Sequence, residues 1–420
     1  MSTQPSHFLE GKQVIVAGAG IAGSAFVAAF CKLWNPALTF PEITVFDRDT
    51  REVAAKREGY SLSLHGDSKD AGLVALRQLG VLDEITSSSV FPLNSGRFKV
   101  WDSAWDELIS IQPKPWGDLP TGAMRIRRKD LRRILIERAE KEKARATFHW
   151  GSACTAAERL DNGRIRVVVT SEDGGTTTHE CDLLIAADGA HSKIRTSFRP
   201  DDKIKYAGAI QMGGNGKFPE GLPGPVGQNW GIMLSGQGVC CFFSAVDKEN
   251  VVWALSQLEP EREGAQSRDW SDEQVSALKK EALELGHMFG EPFRMIVEAT
   301  DPSTAFILPA RDKQPFRHDE DNSVEGVVFI GDANHAVSPF AGNGANLALK
   351  DGCDLAETLC RATSLQSAVL DYDQVSYPRA VATLKSSHSR IGMGHCTGIK
   401  HALFRAGLAA GRVALWVMGK

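Results

Sequence analysis

The run Gly18-Ala19-Gly20-Ile21-Ala22-Gly23 constrains this chain more than any other stretch, because it demands a strand before it and a helix after it. Val14-Ile15-Val16 supplies the strand, and the alanine-rich Ser24–Leu33 supplies the helix. The first glycine makes the turn and the second lets a pyrophosphate approach backbone N–H groups. The third lets the helix pack on the strand. A second strand, Ile43-Thr44-Val45-Phe46, ends in Asp47, 24 residues past Gly23, where an acid can accept hydrogen bonds from an adenosine ribose. These features together predict a Rossmann-type dinucleotide clamp.

Two further segments repeat the pattern of a strand running into an acid and a glycine. Cys181–Ala187 leads into Asp188-Gly189-Ala190-His191-Ser192-Lys193-Ile194-Arg195. Val327–Ile330 leads into Gly331-Asp332, then Pro339-Phe340-Ala341-Gly342-Asn343-Gly344-Ala345 and a helix carrying Leu347, Leu349, Leu355 and Leu359 on its packed face. Proline and glycine there force a tight connection, and the helix's first free N–H groups point back into it. Taken singly, such a segment is also what a well-capped crossover looks like.

Together the three segments resemble the signatures of single-component aromatic hydroxylase flavoproteins, the para-hydroxybenzoate hydroxylase type. Within that group, Pro339–Gly344 and Ser61-Leu62-Ser63-Leu64-His65 are similar to the tetracycline-inactivating monooxygenases. The resemblance implies FAD as cofactor, with Gly18, Ala19, Gly20, Ala22, Gly23, Asp47 and Arg48 at its adenosine end. It also implies Arg128 near the pyrophosphate or ribityl, Asp332 on the ribityl chain, Ala345 at the pyrimidine edge, and the backbone of Gly342, Asn343 and Gly344 against the ring, which Pro339 and Gly342 flank. Asp188 would serve FAD and the reduced nicotinamide of NADPH or NADH, the latter with Arg57. Where the tetracycline enzymes carry an acid this chain has Ser63, and their nearby arginine falls at Lys56 or Arg57.

The implied activity is insertion of one oxygen atom from dioxygen into an aromatic or polycyclic small molecule (a phenol, polyketide or alkaloid) through a flavin hydroperoxide. Related flavoproteins leave other readings open: a reductase or epoxidase of an isoprenoid-type substrate, or a non-catalytic flavoprotein sensor. The W-x-W-x-I-P run of flavin halogenases is absent. No substrate-activating base stands out; His335 suggests a loop histidine capping backbone. Gln211 aligns with a substrate-contacting glutamine of the family. Met233, Phe242 and Trp253 either line an apolar pocket or pack the core, and Pro339 and Phe340 are further substrate candidates.

The 420 residues exceed what one core usually holds, so two or more compact units are expected. We expect an α/β fold: an FAD-binding part from 8–85, 117–200 and 300–363, an inserted mixed-sheet substrate part from 86–116 and 201–299, and helices over 364–420. A net charge of −4 gives no drive toward nucleic acid or anionic membrane. The polar stretch Met1–Glu10 does not read as a secretory signal, and no apolar run is long enough to span a bilayer. Eight cysteines without C-x-x-C spacing suggest a reduced, cytoplasmic protein, monomeric or homodimeric. Histidine spacing predicts no metal site, and there is no G-x-S-x-G elbow.

Between the signatures, Lys69–Ile85 reads as one helix, and Phe98–Trp101 with Glu107–Ile111 as a hairpin. Thr155–Leu160, Arg164–Thr170 and Thr176–Glu180 read as strands joined by turns. Lys203–Gln211, Gly231–Val246 and Val251–Gln257 read as strands, and Gly213–Gly227, rich in glycine and proline, as a loop. Asp272–Phe289 is predicted helical and Arg294–Ala299 a strand. The carboxyl-terminal region reads as helices over Leu365–Lys385 and Ile391–Val417, the last docked across two domains.

Overall fold

A computed structural model describes residues 7–56, 60–141, 145–262 and 270–417, with side chains omitted at 54–56 and 415–417. Its frame is a five-stranded parallel sheet in the order Val327–Phe329, Leu183–Ala186, Gln13–Ala17, Glu42–Asp47, Ala146–Trp150. The inner strands are apolar almost throughout because both faces are covered. On one face Val14 and Val16 pack beneath the helices Ile21–Leu33 and Gly344–Arg361. On the other, Ile15, Ala17 and Phe46 meet a three-stranded antiparallel sheet through Ile165, Val167 and Val169. The two helices touch backbone to backbone: a Cβ on Gly352 would lie 2.6 Å from the Ala22 carbonyl oxygen.

A second sheet has seven strands, ordered Phe306–Asp312, Lys205–Lys217, Asn250–Leu258, Val239–Ala245, Trp230–Leu234, Phe98–Asp102, Glu107–Ile111. Its pairs are antiparallel except Trp230–Leu234 with Phe98–Asp102. Residues in register share a face. Met212, Leu255, Cys241, Met233 and Trp101 form one row, buried under the helices Asp272–Leu285 and Phe293–Glu298. Gly213, Ala254, Phe242 and Ile232 form a row on the opposite, inner face, as do Gln211, Ser256, Cys240 and Leu234. A two-stranded ribbon, Ser61–His65 with Ala123–Arg127, bridges the two sheets, since Ser61 Oγ donates to the Ala245 carbonyl at 2.7 Å.

Several local expectations need correction. The strand expected to end at Gln211 continues to Lys217 through the glycines assigned to a loop. Those glycines are packing sites: a Cβ on Gly216 would lie 2.7 Å from the Ile296 carbonyl oxygen, so only glycine lets the neighbouring helix approach. Residues expected as the strand Arg294–Ala299 form the helix Phe293–Glu298, whose Phe293, Ile296 and Val297 are buried at helical spacing. Gly80, in the left-handed region at φ 75°, splits the helix expected over Lys69–Ile85 into Gly72–Leu79 and Leu82–Ser87. Gly231–Val246 is two strands with a turn at Ser235–Gly238. At the carboxyl end one helix runs Leu365–Gly394 and the next Gly398–Val417, so the break falls at His395. The last helix docks on the hairpin strand Glu107–Ile111 through Phe404 and Leu408, and Arg405 meets Asp102 at 3.2 Å. No helix among the described residues is long and apolar enough to cross a membrane.

Candidate active site

The first signature is built as its glycines require. Gly18 turns at φ 105°, and a Cβ there would stand 2.5 Å from the Ala187 carbonyl oxygen, so the first and second signature segments touch. A Cβ on Gly23 would lie 2.0 Å from the Gly18 oxygen, which is why helix and strand pack so closely. Gly20 differs: nothing lies within 4 Å of its Cβ position, leaving open space at the start of the helix Ile21–Leu33. Ala22 sits in that helix's first turn and packs toward Gly331. Asp47 is buried at the end of its strand, accepting the Ala19 N–H at 2.7 Å and facing the Arg132 guanidinium at 3.3 Å.

Asp188 accepts hydrogen bonds from the N–H groups of Lys193 at 2.8 Å and Ile194 at 3.2 Å through one oxygen. Its other oxygen is buried without a hydrogen-bond partner among the described residues, and burial pushes the carboxyl up from its ordinary pKa. Arg195 joins this segment to the late one: its guanidinium donates to Ala333 at 2.7 Å and Ala190 at 2.6 Å. Asp332 follows Gly331 at the start of the short helix Asp332–His335 and is solvent-accessible. Burial raises its pKa, opposed by the charges of His335, Arg128 and Arg195. Arg128 opens the helix Arg128–Glu140 and stands over the Tyr60 ring at 6.0 Å. The segments carrying Gly20, Asp188 and Asp332 are thus joined by direct contacts: Gly18 with Ala187, Ala22 with Gly331, and Arg195 with Ala333.

The glycine turn is held from outside. Pro339–Ala341 forms one 3-10 turn, Gly342 follows at φ 60°, and Asn343 precedes the helix Gly344–Arg361. Gly344 and Ala345 begin that helix, so their N–H groups have no partner within it. Arg390, from the long carboxyl-terminal helix, donates to the Ala341 carbonyl at 2.6 Å and fixes the turn. Asn346 ties the same helix start to the ribbon, donating to the Ser63 carbonyl at 3.0 Å and accepting the His65 N–H at 2.9 Å. His335 does not cap backbone with its ring, as its loop position suggested. Its Nε2 bonds the buried Asp351 carboxylate, which also takes the Gly331 N–H at 2.9 Å and Arg379 at 3.0 Å. Burial opposes both charges, but each partner sustains the other: His335 is raised, and Asp351 is held well below the usual carboxylate range.

Opposite the turn lies the inner face of the seven-stranded sheet. Phe340 is buried against it, its ring 5.8 Å from that of His395. His395 Nε2 meets Ser256 Oγ at 2.9 Å, in the same row as Gln211. Phe242 shares this face, but Met233 and Trp253 do not. They are fully buried on the far side in the packed core, Trp253 donating to Thr300 Oγ1 at 2.8 Å, because strand alternation turns them away from the cleft. Pro339 stays exposed, and Arg48 is 70% exposed beside Asp49 rather than inside the cleft. Arg57 lies outside the described residues. Arg132, Arg195, Asp351, Arg390 and His395 were not foreseen, since each acts through partners far away in sequence. Among the described residues no cluster of ligating side chains could hold a metal.

The family model described as the FAD binding domain matches residues 69–287 and 301–387. The chain is 45% identical over 407 residues to monooxygenase cfoF of Aspergillus candidus, covering 96% of each. In fold it is similar to HpxO of Klebsiella pneumoniae complexed with FAD and uric acid, with a TM-score of 0.74 at 19% identity, covering 96% of this chain and 94% of that one. It is also similar to the tetracycline destructase Tet(55), with a TM-score of 0.66 at 18% identity, covering 97% of each chain. The chain belongs to the FAD-binding-domain family and is an FAD-dependent monooxygenase.

Proposed function

We propose that the enzyme uses NAD(P)H and dioxygen to insert one oxygen atom into an aromatic or polycyclic small molecule of the phenol, polyketide or alkaloid type. The supporting observation is that Phe340, at the tip of the glycine turn, packs against the inner face of the seven-stranded sheet. A planar substrate between the turn and that face would meet Phe242 and Gln211. In this reading the parallel sheet and its helices serve the cofactor, and the seven-stranded sheet serves the substrate.

The residues fit FAD on two counts. The open position at Gly20 admits a pyrophosphate at a helix start, and the unpaired Asp188 oxygen can take a hydroxyl donor. Bound FAD supplies electron transfer from reduced nicotinamide and the activation of dioxygen. The chain's part is to bind and orient it: Asp47 toward the adenosine ribose, Arg128 toward the phosphates, Asp332 toward the ribityl chain. The Gly344 and Ala345 N–H groups at the helix start would favour negative charge on the ring edge. The apolar inner face and Phe340 exclude water from the reacting carbon.

The test is NADPH and NADH oxidation by the FAD-loaded enzyme across a panel of aromatic metabolites, with mass analysis of the products. Substrate-stimulated oxidation with a gain of one oxygen atom is expected. Double-bond reduction without dioxygen uptake would instead favour the isoprenoid reductase, and no stimulation by any aromatic compound would contradict the reading.

A further inference from the structure

Among the buried arginines, Arg125 lacks the usual compensation. Arg132 has Asp47 and Asp49 as direct partners, and Arg195, bonded only to carbonyl oxygens, still has the charges of Asp202, Asp188 and Asp332 near it. Arg125, 7% exposed, donates only to uncharged groups: Ser63 Oγ at 2.8 Å, the Ser61 carbonyl at 2.7 Å and Ser61 Oγ at 2.6 Å. Its Nε has no hydrogen-bond partner, and no carboxylate among the described residues pairs with it. Burial lowers its pKa to about 9, which still leaves it charged at neutral pH. A buried cation without a counter-ion is costly, so such a residue signals a partner that arrives from outside.

Its position says what kind of partner. Arg125 lies on the ribbon strand Ala123–Arg127, and its guanidinium stands over the Phe242 ring at 5.8 Å, where the ribbon meets the inner face of the seven-stranded sheet. The surroundings are basic: burial lowers the pKa of His65, Asp67 opposes this, and the charges of Arg390 and Arg125 lower it further. An aromatic anion would find the Phe242 ring, the Ser63 hydroxyl and a guanidinium with no carboxylate partner.

We propose that Arg125 is a specificity-determining residue that pairs with an anionic oxygen of the substrate, so that the enzyme selects aromatic compounds bearing a carboxylate or an ionised phenol over their neutral counterparts. The proposal rests on the monooxygenase reading of the same site and narrows its substrate class.

The test measures ligand binding by the change each compound causes in the flavin absorbance of the FAD-loaded enzyme, without turnover. The probes are 1-hydroxy-2-naphthoate, its methyl ester, and pentafluorophenol above and below its own pKa, which lies well below that of Arg125. Wild type should bind the acid at least about tenfold more tightly than the ester, the scale of a charged hydrogen bond. Arg125→Gln should lose that preference while keeping FAD affinity, and Arg125→Lys should retain part of it. Tighter binding of pentafluorophenol only when ionised would assign the preference to a phenolate. The wild-type ratio of acid to ester stands even if a variant fails to fold. Equal affinity for acid and ester in wild type, binding of neither, or an unchanged preference in Arg125→Gln would overturn the proposal. So would a lowered flavin affinity or shifted flavin potential in Arg125→Gln with the preference intact, which would place Arg125 in service of the cofactor. The monooxygenase reading fails separately, if bound aromatic compounds are never oxygenated.

Discussion

His335 and Asp351 form a buried ion pair directly behind the cleft, the imidazole on one side of the carboxylate and Arg379 on the other. The Asp351 carboxylate also takes the Gly331 N–H, so this pair sets the backbone next to Asp332. In the unfolded chain the two groups titrate near 6.5 and 3.8. His335 is raised on folding, so its contribution is complete below about 6.5 and drains away as pH rises through the folded value. Asp351 is depressed, so its contribution is present above about 3.8 and is lost only as pH falls toward the folded value. The Tm difference between wild type and His335→Gln should therefore shrink as pH is raised from 6.5. Asp351→Ala should cost about 3–5 kcal/mol at neutral pH by stranding His335 and leaving Arg379 with Asp354 alone. A wild-type advantage that grows with alkalinity would contradict the assignment.

Gly20 and Gly23 separate binding from folding. Gly20→Val adds atoms only to open space, so the apo-protein should keep its Tm while flavin titration shows no loading. Gly23→Ala drives a methyl into the Gly18 carbonyl and should destabilise the apo-protein itself. If Gly20→Val purifies yellow and saturated, the pyrophosphate does not lie there.

Asp332→Asn tests the ribityl contact. Asp332 is solvent-accessible in the apo-protein, so removing the charge should leave apo stability nearly unchanged. FAD affinity should nevertheless fall by roughly 1.5–3 kcal/mol, the value of a hydrogen bond to a charged group. Fluorescence titration of the apo-variant with FAD gives the answer, and unchanged affinity would count against the contact.

The two faces of the seven-stranded sheet predict opposite phenotypes. Met233→Ala, on the packed side, should cost about 2–5 kcal/mol of stability and leave substrate selectivity alone. Phe242→Ala, on the inner side, should change the KM for aromatic substrates with a smaller loss of stability. Thermal melts paired with KM measurements decide it, and a selectivity change in Met233→Ala would reverse the face assignment.

What the sequence revealed were the features written in consecutive residues. Gly18–Gly23, Asp47, Asp188 and Gly331-Asp332 each declare themselves by a strand, an acid and a glycine in order, and the fold brings their segments together. Gly213–Gly216 misled because glycine composition is the same in a flexible loop and in a strand pressed against a helix. Met233 and Trp253 could not be assigned a face until register was known, since a one-residue shift exchanges the two sides. Nothing in the neighbouring sequence marks Arg125 for burial or Arg390 for its bond to the Ala341 carbonyl, since both depend on elements distant along the chain.

The contact of Gly352 with Ala22 has a bearing on biosynthesis. The βα unit of Gln13–Leu33 leaves the ribosome well before its partners, since Gly352, which packs on its helix, is made more than three hundred positions later, and its strand borders one that begins at Leu183. During translation the nascent clamp must therefore wait with apolar surface exposed, a period in which chaperones would be needed and flavin could not yet be retained.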